Sequence, residues 1–210
     1  MPATVFTIGH SNHPQERFLA LLQQHAISAL CDVRSNPYSR MNPQFNRKEL
    51  KGYLRPHNIK YVFLGKELGA RSEDPSCYDR GKISYERLAQ TNLFQQGLDR
   101  IQEGMRTHRV AIMCAEKEPL DCHRTVLVTR HLAARGLDVH HILADGTIET
   151  HSDALRRLAN DLKLRANELH LFCSQEDLFT EAYRLQEQRI AYEPEEADPD
   201  TIAALKSAAN

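Results

Sequence analysis

Val110-Ala111-Ile112-Met113 is an unbroken apolar run. Cys114-Ala115-Glu116-Lys117-Glu118-Pro119-Leu120 follows it, then Asp121-Cys122-His123-Arg124 at the head of an amphipathic stretch that closes at Arg135-Gly136. A run that is apolar at both alternate positions reads as a strand covered on both faces, which is the mark of a central parallel strand. Asp121 suits an N-cap and Gly136 suits a helix stop. The spacing therefore predicts a helix from Asp121 to Arg135, with Cys122, His123 and Arg124 in its first turn.

The same rhythm runs through the flanking sequence. Val5-Phe6-Thr7-Ile8, Ala29 to Val33, Tyr61 to Leu64 and Val139 to Leu143 read as further strands. Pro14 to His25, Arg47 to His57 and Tyr85 to Thr107 read as helices, the last broken near Thr91-Asn92. Alternation of this kind predicts a three-layer α/β fold of the Rossmann-like type, a mostly parallel sheet with helices on both faces and a small C-terminal extension. Residues 1–190 are expected to form a single domain, with a motif-bearing core at about 4–150 and a helical extension at 151–190. Within the extension, helices are expected at Asp153 to Leu164 and Gln175 to Ile190, with a short apolar run at Leu169 to Phe172. Residues 191–210 are acidic and read as a flexible tail.

Bulk composition narrows the class. The chain has 210 residues, 41% hydrophobic and 26% charged, with a formal net charge of −1. Such a balance sets up no global field toward nucleic acid or a membrane. No apolar run approaches the roughly 18 residues that span a bilayer. The N-terminus reads as a strand from the outset rather than a secretory signal, so a cytoplasmic protein is expected. There, five widely spaced cysteines (Cys31, Cys77, Cys114, Cys122, Cys173) argue for reduced thiols rather than a disulfide framework.

Reactive residues fall just past the predicted strand ends. Gly9-His10-Ser11 follows the first strand, Asp32-Val33-Arg34 closes the second, and Cys114-Ala115-Glu116 closes the fourth. Parallel sheets open their ligand crevice along that edge. Cys122 at a helix start, beside His123 and Arg124, is placed where free N–H groups and cations lower a thiol pKa. Arg124 in a first turn makes sense if an anion sits between it and the helix N-terminus. Cys114 could partner Cys122 in redox work, against the plainer reading of an inert core thiol. A phosphatase loop is excluded, because Cys-x5-Arg needs arginine where Leu120 stands.

Other residues admit two readings each. Asp32 and Arg34 share a strand face, as a structural ion pair or as a base beside an anion site. His10 and Ser11 are candidate substrate contacts or a simple turn. The sequence requires no metal, although Cys114, Cys122, His123 and His10 could supply soft ligands to zinc. From Arg34 to Lys60, Arg34, Arg40, Arg47, Lys48, Lys51, Arg55 and Lys60 face one acid, Glu49, with Tyr38, Phe45 and Tyr53 interleaved. That pattern fits a nucleotide or nucleic acid strand or a solvated helix face. Gly65 to Arg80 is polar and loop-like, long enough for a lid.

Thr7-Ile8-Gly9-His10-Ser11, Asp32-Val33-Arg34, Leu64-Gly65-x-x-Leu68-Gly69, Cys114-Ala115-Glu116, Pro119, Cys122-His123-Arg124 and His141-Ile142 before Asp145-Gly146 occur in order over residues 5 to 150. Together they resemble the domain of unknown function family 488. Ala70 replaces the second glycine of that family's Leu-Gly-Gly pattern. The resemblance implies an α/β domain suspected of enzymatic activity through its cysteines, with no established reaction.

The leading expectation is an enzyme acting on a small anionic or phosphate-bearing substrate, such as a nucleotide. Cys122 would be nucleophile or redox thiol with Cys114 as partner, Asp32 or Glu116 acid/base, and His10 and His123 assisting. Arg34 and Arg124, with His10 and Ser11, would hold the substrate. The alternatives are a nucleotide or N-glycosidic hydrolase worked by Asp32 or Glu116 with structural cysteines, a nucleic-acid-binding module using Arg34 to Lys60, and a zinc enzyme.

Overall fold

The computed structural model describes residues 3–164 and 174–194. Its sheet has six strands: β1 (Thr4–Gly9), β2 (Ala29–Asp32), β3 (Lys60–Phe63), β6 (Val110–Cys114), β7 (Asp138–Ile142) and β8 (Ile148–Thr150), in the order β3-β2-β6-β1-β7-β8. A separate hairpin pairs β4 (Tyr78–Asp79) with β5 (Lys82–Ile83). All sheet pairings are parallel except β8, which runs antiparallel to β7. The expected fold class is the one observed.

Period-two alternation sorts each strand's side chains between two layers. Phe6, Ile8, Leu30, Ala111 and Met113 pack on α1 (Gln15–Gln24) and α2 (Arg47–Leu54) through Phe18, Leu21, Leu22, Leu50 and Leu54. Val5, Cys31, Val33, Ile112 and Cys114 face the other layer. That layer holds α5 (Asn92–Met105), α6 (Arg130–Ala134), α7 (His151–Asp161) and the C-terminal helix Gln175–Ile190. Between β3 and α5 come α3 (Gly65–Leu68) and α4 (Tyr85–Ala89). The break expected near Thr91 is present, and the Thr91 side chain caps α5 by accepting from Phe94 N–H.

The strand order places a switch point between β1 and β6. From β1 the chain leaves toward β2 on one side, and from β6 toward β7 on the other. Open α/β sheets bind ligands where such departures diverge, beyond the strand C-termini. Here those termini are Gly9 and Cys114, partners in register. The chain continues the contact beyond the strands: His10 N–H donates to the Cys114 carbonyl at 3.0 Å and Ser11 N–H to the Ala115 carbonyl at 2.8 Å. A Cβ on Gly9 would stand 1.9 Å from the Glu116 carbonyl oxygen, so only glycine lets the loop after β6 cross there.

Three expectations need revision. The predicted helix from Asp121 does not begin there. Its body starts with wide π-type turns over Arg124–Thr129 and continues as α6. The stretch Gly65 to Arg80 is not a plain loop, since it contains α3, the short turn Pro75–Cys77 and the hairpin, with Cys77 buried. The start of the expected tail is docked: Tyr192 accepts from Ile83 N–H and its ring lies under Arg71. The run Leu169 to Phe172 lies outside the described residues, as do residues 195–210 of the tail. No described helix is long and apolar enough to cross a membrane.

Candidate active site

Cys114, Cys122 and His123 converge at the C-terminal end of β6. Their ligand-type atoms all lie within 4.8 Å of one another. His123 Nδ1 is 3.7 Å from Cys114 Sγ and 3.9 Å from Cys122 Sγ. Its Nε2 donates to the Val33 carbonyl at 3.0 Å, which fixes the ring with Nδ1 toward the sulfurs. Glu116 Oε2 lies 2.9 Å from Cys122 Sγ. All four residues line a cavity of about 340 Å³ with Arg34, Arg71, Tyr85 and Tyr192.

Cys122 sits just outside the helix rather than in its first turn. Its carbonyl accepts from Thr125 and Val126 N–H, and its sulfur from Arg124 N–H at 3.4 Å. The thiol thus takes the place of a capping side chain, with its negative form favoured by the helix N-terminus. Burial pushes the Cys122 thiol up. The Cys114 S–H, the Arg124 charge and His123 outweigh burial and hold it well below the ordinary thiol value. Cys114 moves the opposite way, raised by burial and by its hydrogen bond to Cys122. Glu116 is raised by burial and by the charge of Cys122. Burial lowers His123, but Cys122 and Glu116 pull it above the usual imidazole value. These directions favour the charged form of Cys122 and the proton-bearing forms of Cys114, His123 and Glu116 around it.

Arg124 is 1% exposed and does not line the cavity. Its Nη1 donates to the Glu116 carbonyl at 2.7 Å and Nη2 to the Lys117 carbonyl at 3.2 Å. The guanidinium ties down the loop after β6 and lends its charge to Cys122 from behind.

A second cluster occupies the α1/α2 side of the same edge. Asp32 is fully buried and accepts from Arg34 Nε at 2.9 Å, Arg34 Nη2 at 2.7 Å and Tyr61 Oη at 2.5 Å. Arg34 Nη2 also donates to the Phe45 carbonyl, and Nη1 to His10 Nε2 at 3.0 Å. Arginine is no acceptor, so His10 Nε2 is bare and its Nδ1 donates to the Ser11 carbonyl. Burial and the Arg34 charge lower the His10 pKa to about 4, which keeps the ring neutral. His10 also stacks on Phe45, with centroids 4.4 Å apart. Asp32 and His10 therefore position Arg34. With four of its five N–H groups engaged, Arg34 keeps one Nη1 hydrogen, and it lines both the first cavity and an adjoining one with Ser11, Asn12 and Lys117.

The basic stretch divides. Arg34 and Phe45 are buried, whereas Arg40, Arg47, Lys48, Lys51, Arg55 and Lys60 are exposed. Phe45 is core, so the interleaved aromatics do not form a surface strip. Tyr38 alone of the three is strongly exposed, at 62%.

The profile of a domain of unknown function, DUF488, matches residues 14–131. The chain belongs to this family. No curated protein and no solved structure matches it. The DUF488 match spans Asp32, Arg34 and the whole Cys114 to Arg124 segment. Sequence reasoning missed several cavity residues of this DUF488 chain. Arg71, Tyr85, Tyr192 and Asn36 lie on loops or helix ends that carry no motif. The one signal available was a lone pair of aromatics, Tyr85 and Tyr192, at the borders of helical patterns.

Proposed function

We propose that the chain is an enzyme in which the Cys122 thiolate is the reacting group and the substrate is small and anionic, a phosphate-bearing compound or nucleotide. The observation that carries this reading is the convergence of Cys122, Cys114, His123 and Glu116 on one cavity at the sheet's switch point. A nucleophile needs a lowered pKa and a neighbouring group to trade protons with. His123 and Glu116 both stand beside the sulfur. Arg34 and Arg71 on the cavity wall supply positive charge for an anion. Arg124 acts on the thiolate and the loop, not on the substrate. Asp32 is a holder of Arg34 here rather than the acid/base, which leaves Glu116 for that role.

The test is the rate of iodoacetamide reaction at Cys122 across pH on metal-free protein, read by peptide mass spectrometry. The expected profile stays reactive well below the pH where an ordinary thiol of pKa about 8.5 ionises. Any turnover found with phosphate-bearing substrates should vanish in Cys122→Ser. An ordinary thiol titration, or full turnover in that variant, rules the mechanism out.

A further inference from the structure

We propose that Cys114, Cys122 and His123 form a binding site for a soft divalent cation of the zinc type, with a fourth position open to the cavity beside Glu116. Among the described residues this is the grouping of three such side chains close enough to share one ion. Zinc–sulfur bonds of about 2.3 Å and zinc–nitrogen bonds of about 2.0–2.1 Å give a tetrahedral S···N edge of about 3.6 Å. The two S···N distances are 3.7 and 3.9 Å, so both sulfurs stand near that spacing from the ring nitrogen, and all three ligand atoms lie within 4.8 Å of one another.

The surroundings match the donor set. Metal-binding histidines donate their second nitrogen to a carbonyl or carboxylate, and His123 Nε2 donates to the Val33 carbonyl. Two thiolates balance a dication, and Arg124 N–H on Cys122 Sγ gives one of them a further partner. His10 is not part of the set, because both its nitrogens are committed to Arg34 and Ser11. Three protein ligands with a free fourth place describe an open site rather than a closed structural one. A bound ion would take one electron pair of the Cys122 thiolate and damp the nucleophilicity of the rest, so a loaded site and a free thiolate nucleophile exclude each other. That exclusion rests on the thiolate reading above; the binding itself does not.

The experiment uses the full chain, stripped by chelator and titrated with cobalt or zinc. One equivalent of cobalt should give intense tetrahedral visible bands with sulfur-to-metal charge transfer. Elemental analysis should find one zinc per chain, and zinc should protect Cys122 from iodoacetamide. Cys114→Ser and His123→Gln, each checked for native circular dichroism, should weaken zinc by more than the roughly 10–100-fold of a lost outer partner. A third variant, Cys31→Ser, lies outside the cluster and should keep the cobalt spectrum. Absence of uptake, an octahedral cobalt spectrum, or uptake that survives either ligand substitution overturns the proposal. Zinc binding with an ordinary Cys122 titration in the stripped protein would sink the thiolate reading alone.

Discussion

Cys122 Sγ and Glu116 Oε2 stand 2.9 Å apart, too close for two bare anions, so one proton is shared between them. Burial and the sulfur's charge raise Glu116, while Arg124, His123 and Cys114 lower Cys122. Cys122, Glu116, Cys114 and His123 influence one another's protons, so their titration steps belong to the cluster and to no residue alone. Glu116→Gln keeps a donor at the sulfur but removes the carboxyl's titration. Ultraviolet thiolate absorbance of metal-free protein should then lose the step that Glu116 contributes, with the thiolate persisting at neutral pH. A profile in the variant identical to the parent's would show that Glu116 is not a partner of the sulfur.

Asp32→Asn tests the second cluster. The buried bidentate pair holds Arg34 against Asp32, which is fully buried. Removing one member leaves an uncompensated buried charge and costs about 3–5 kcal/mol. Replacing both by apolar residues of similar volume is far milder. Urea unfolding should show the single variant much less stable than Asp32→Leu/Arg34→Met. Equal losses would mean that the pair is not what holds this corner.

The main-chain plan was legible because each parallel strand announces itself locally, by a short apolar run between punctuating polar residues, whereas the antiparallel edge strand Ile148–Thr150 and the small hairpin of Tyr78–Asp79 with Lys82–Ile83 carry no such run. Val110 to Met113 is the clearest case, and it is the central strand. The clustering of Cys114, Asp32 and Arg34 at one sheet edge followed from parallel topology. What sequence could not carry was the use of each group. Arg124 at a helix start looks like an anion site until the loop Glu116-Lys117 folds back and takes its N–H groups with carbonyls. Asp32 looks like a base until Tyr61, on the neighbouring strand, and Arg34 fill its oxygens. Tyr192 reads as tail because its partners, Arg71 and Ile83, are more than a hundred residues away. These are long-range pairings, and local pattern contains none of them.

Buried histidines give the protein an acid limit. Thr7 Oγ1, His141, His151 and Tyr183 Oη form a continuous hydrogen-bonded chain, with links of 2.8, 3.1 and 2.6 Å. Burial lowers His151 from 6.5 to about 4 and places His141 well below its usual value. A folded-state pKa below the unfolded one means that the unfolded chain binds protons first as pH falls. The stability these histidines contribute is therefore fully present above pH 6.5 and is lost toward pH 4, by up to about 1.4 kcal/mol per unit for each of them. His10, lowered to about 4, adds to the slope. Denaturation midpoints measured across this range should fall with acid, and His151→Gln should flatten the curve. An unchanged slope in that variant would remove His151 from the account.

Gly9 and Gly52 make a matched pair. Alanine at Gly9 must push the Glu116 carbonyl away from 1.9 Å, an overpacking cost of about 1–3 kcal/mol. It should also move Glu116 off Cys122 and alter thiol reactivity. Gly52 lies in α2 with nothing within 4 Å of an added Cβ. Alanine there should stabilise by about 0.5–1 kcal/mol and leave Cys122 reactivity alone. Equal effects at the two positions would contradict the close crossing at Gly9.

Arg71→Ala separates a small-anion site from a nucleic acid surface. Arg71 lines the cavity and lies 4.3 Å over the Tyr192 ring, so its charge sits at the mouth without holding the core. Lys48 and Lys51 are exposed on α2 and line none of the described cavities that contain Cys122. Binding of a phosphate-bearing ligand such as pyrophosphate or a nucleotide, followed by calorimetry, should weaken in Arg71→Ala. A charged hydrogen bond of about 1.5–3 kcal/mol sets the scale, or roughly ten- to a hundred-fold. Lys48→Ala/Lys51→Ala should bind the same ligand as the parent does. The opposite ranking, with single-stranded nucleic acid bound in a steeply salt-dependent way and lost in the double lysine variant, would assign the basic stretch a backbone-binding role. The small-anion reading would then fall, because a cavity wall with a free arginine has no part in a contact made across the exposed lysines of α2.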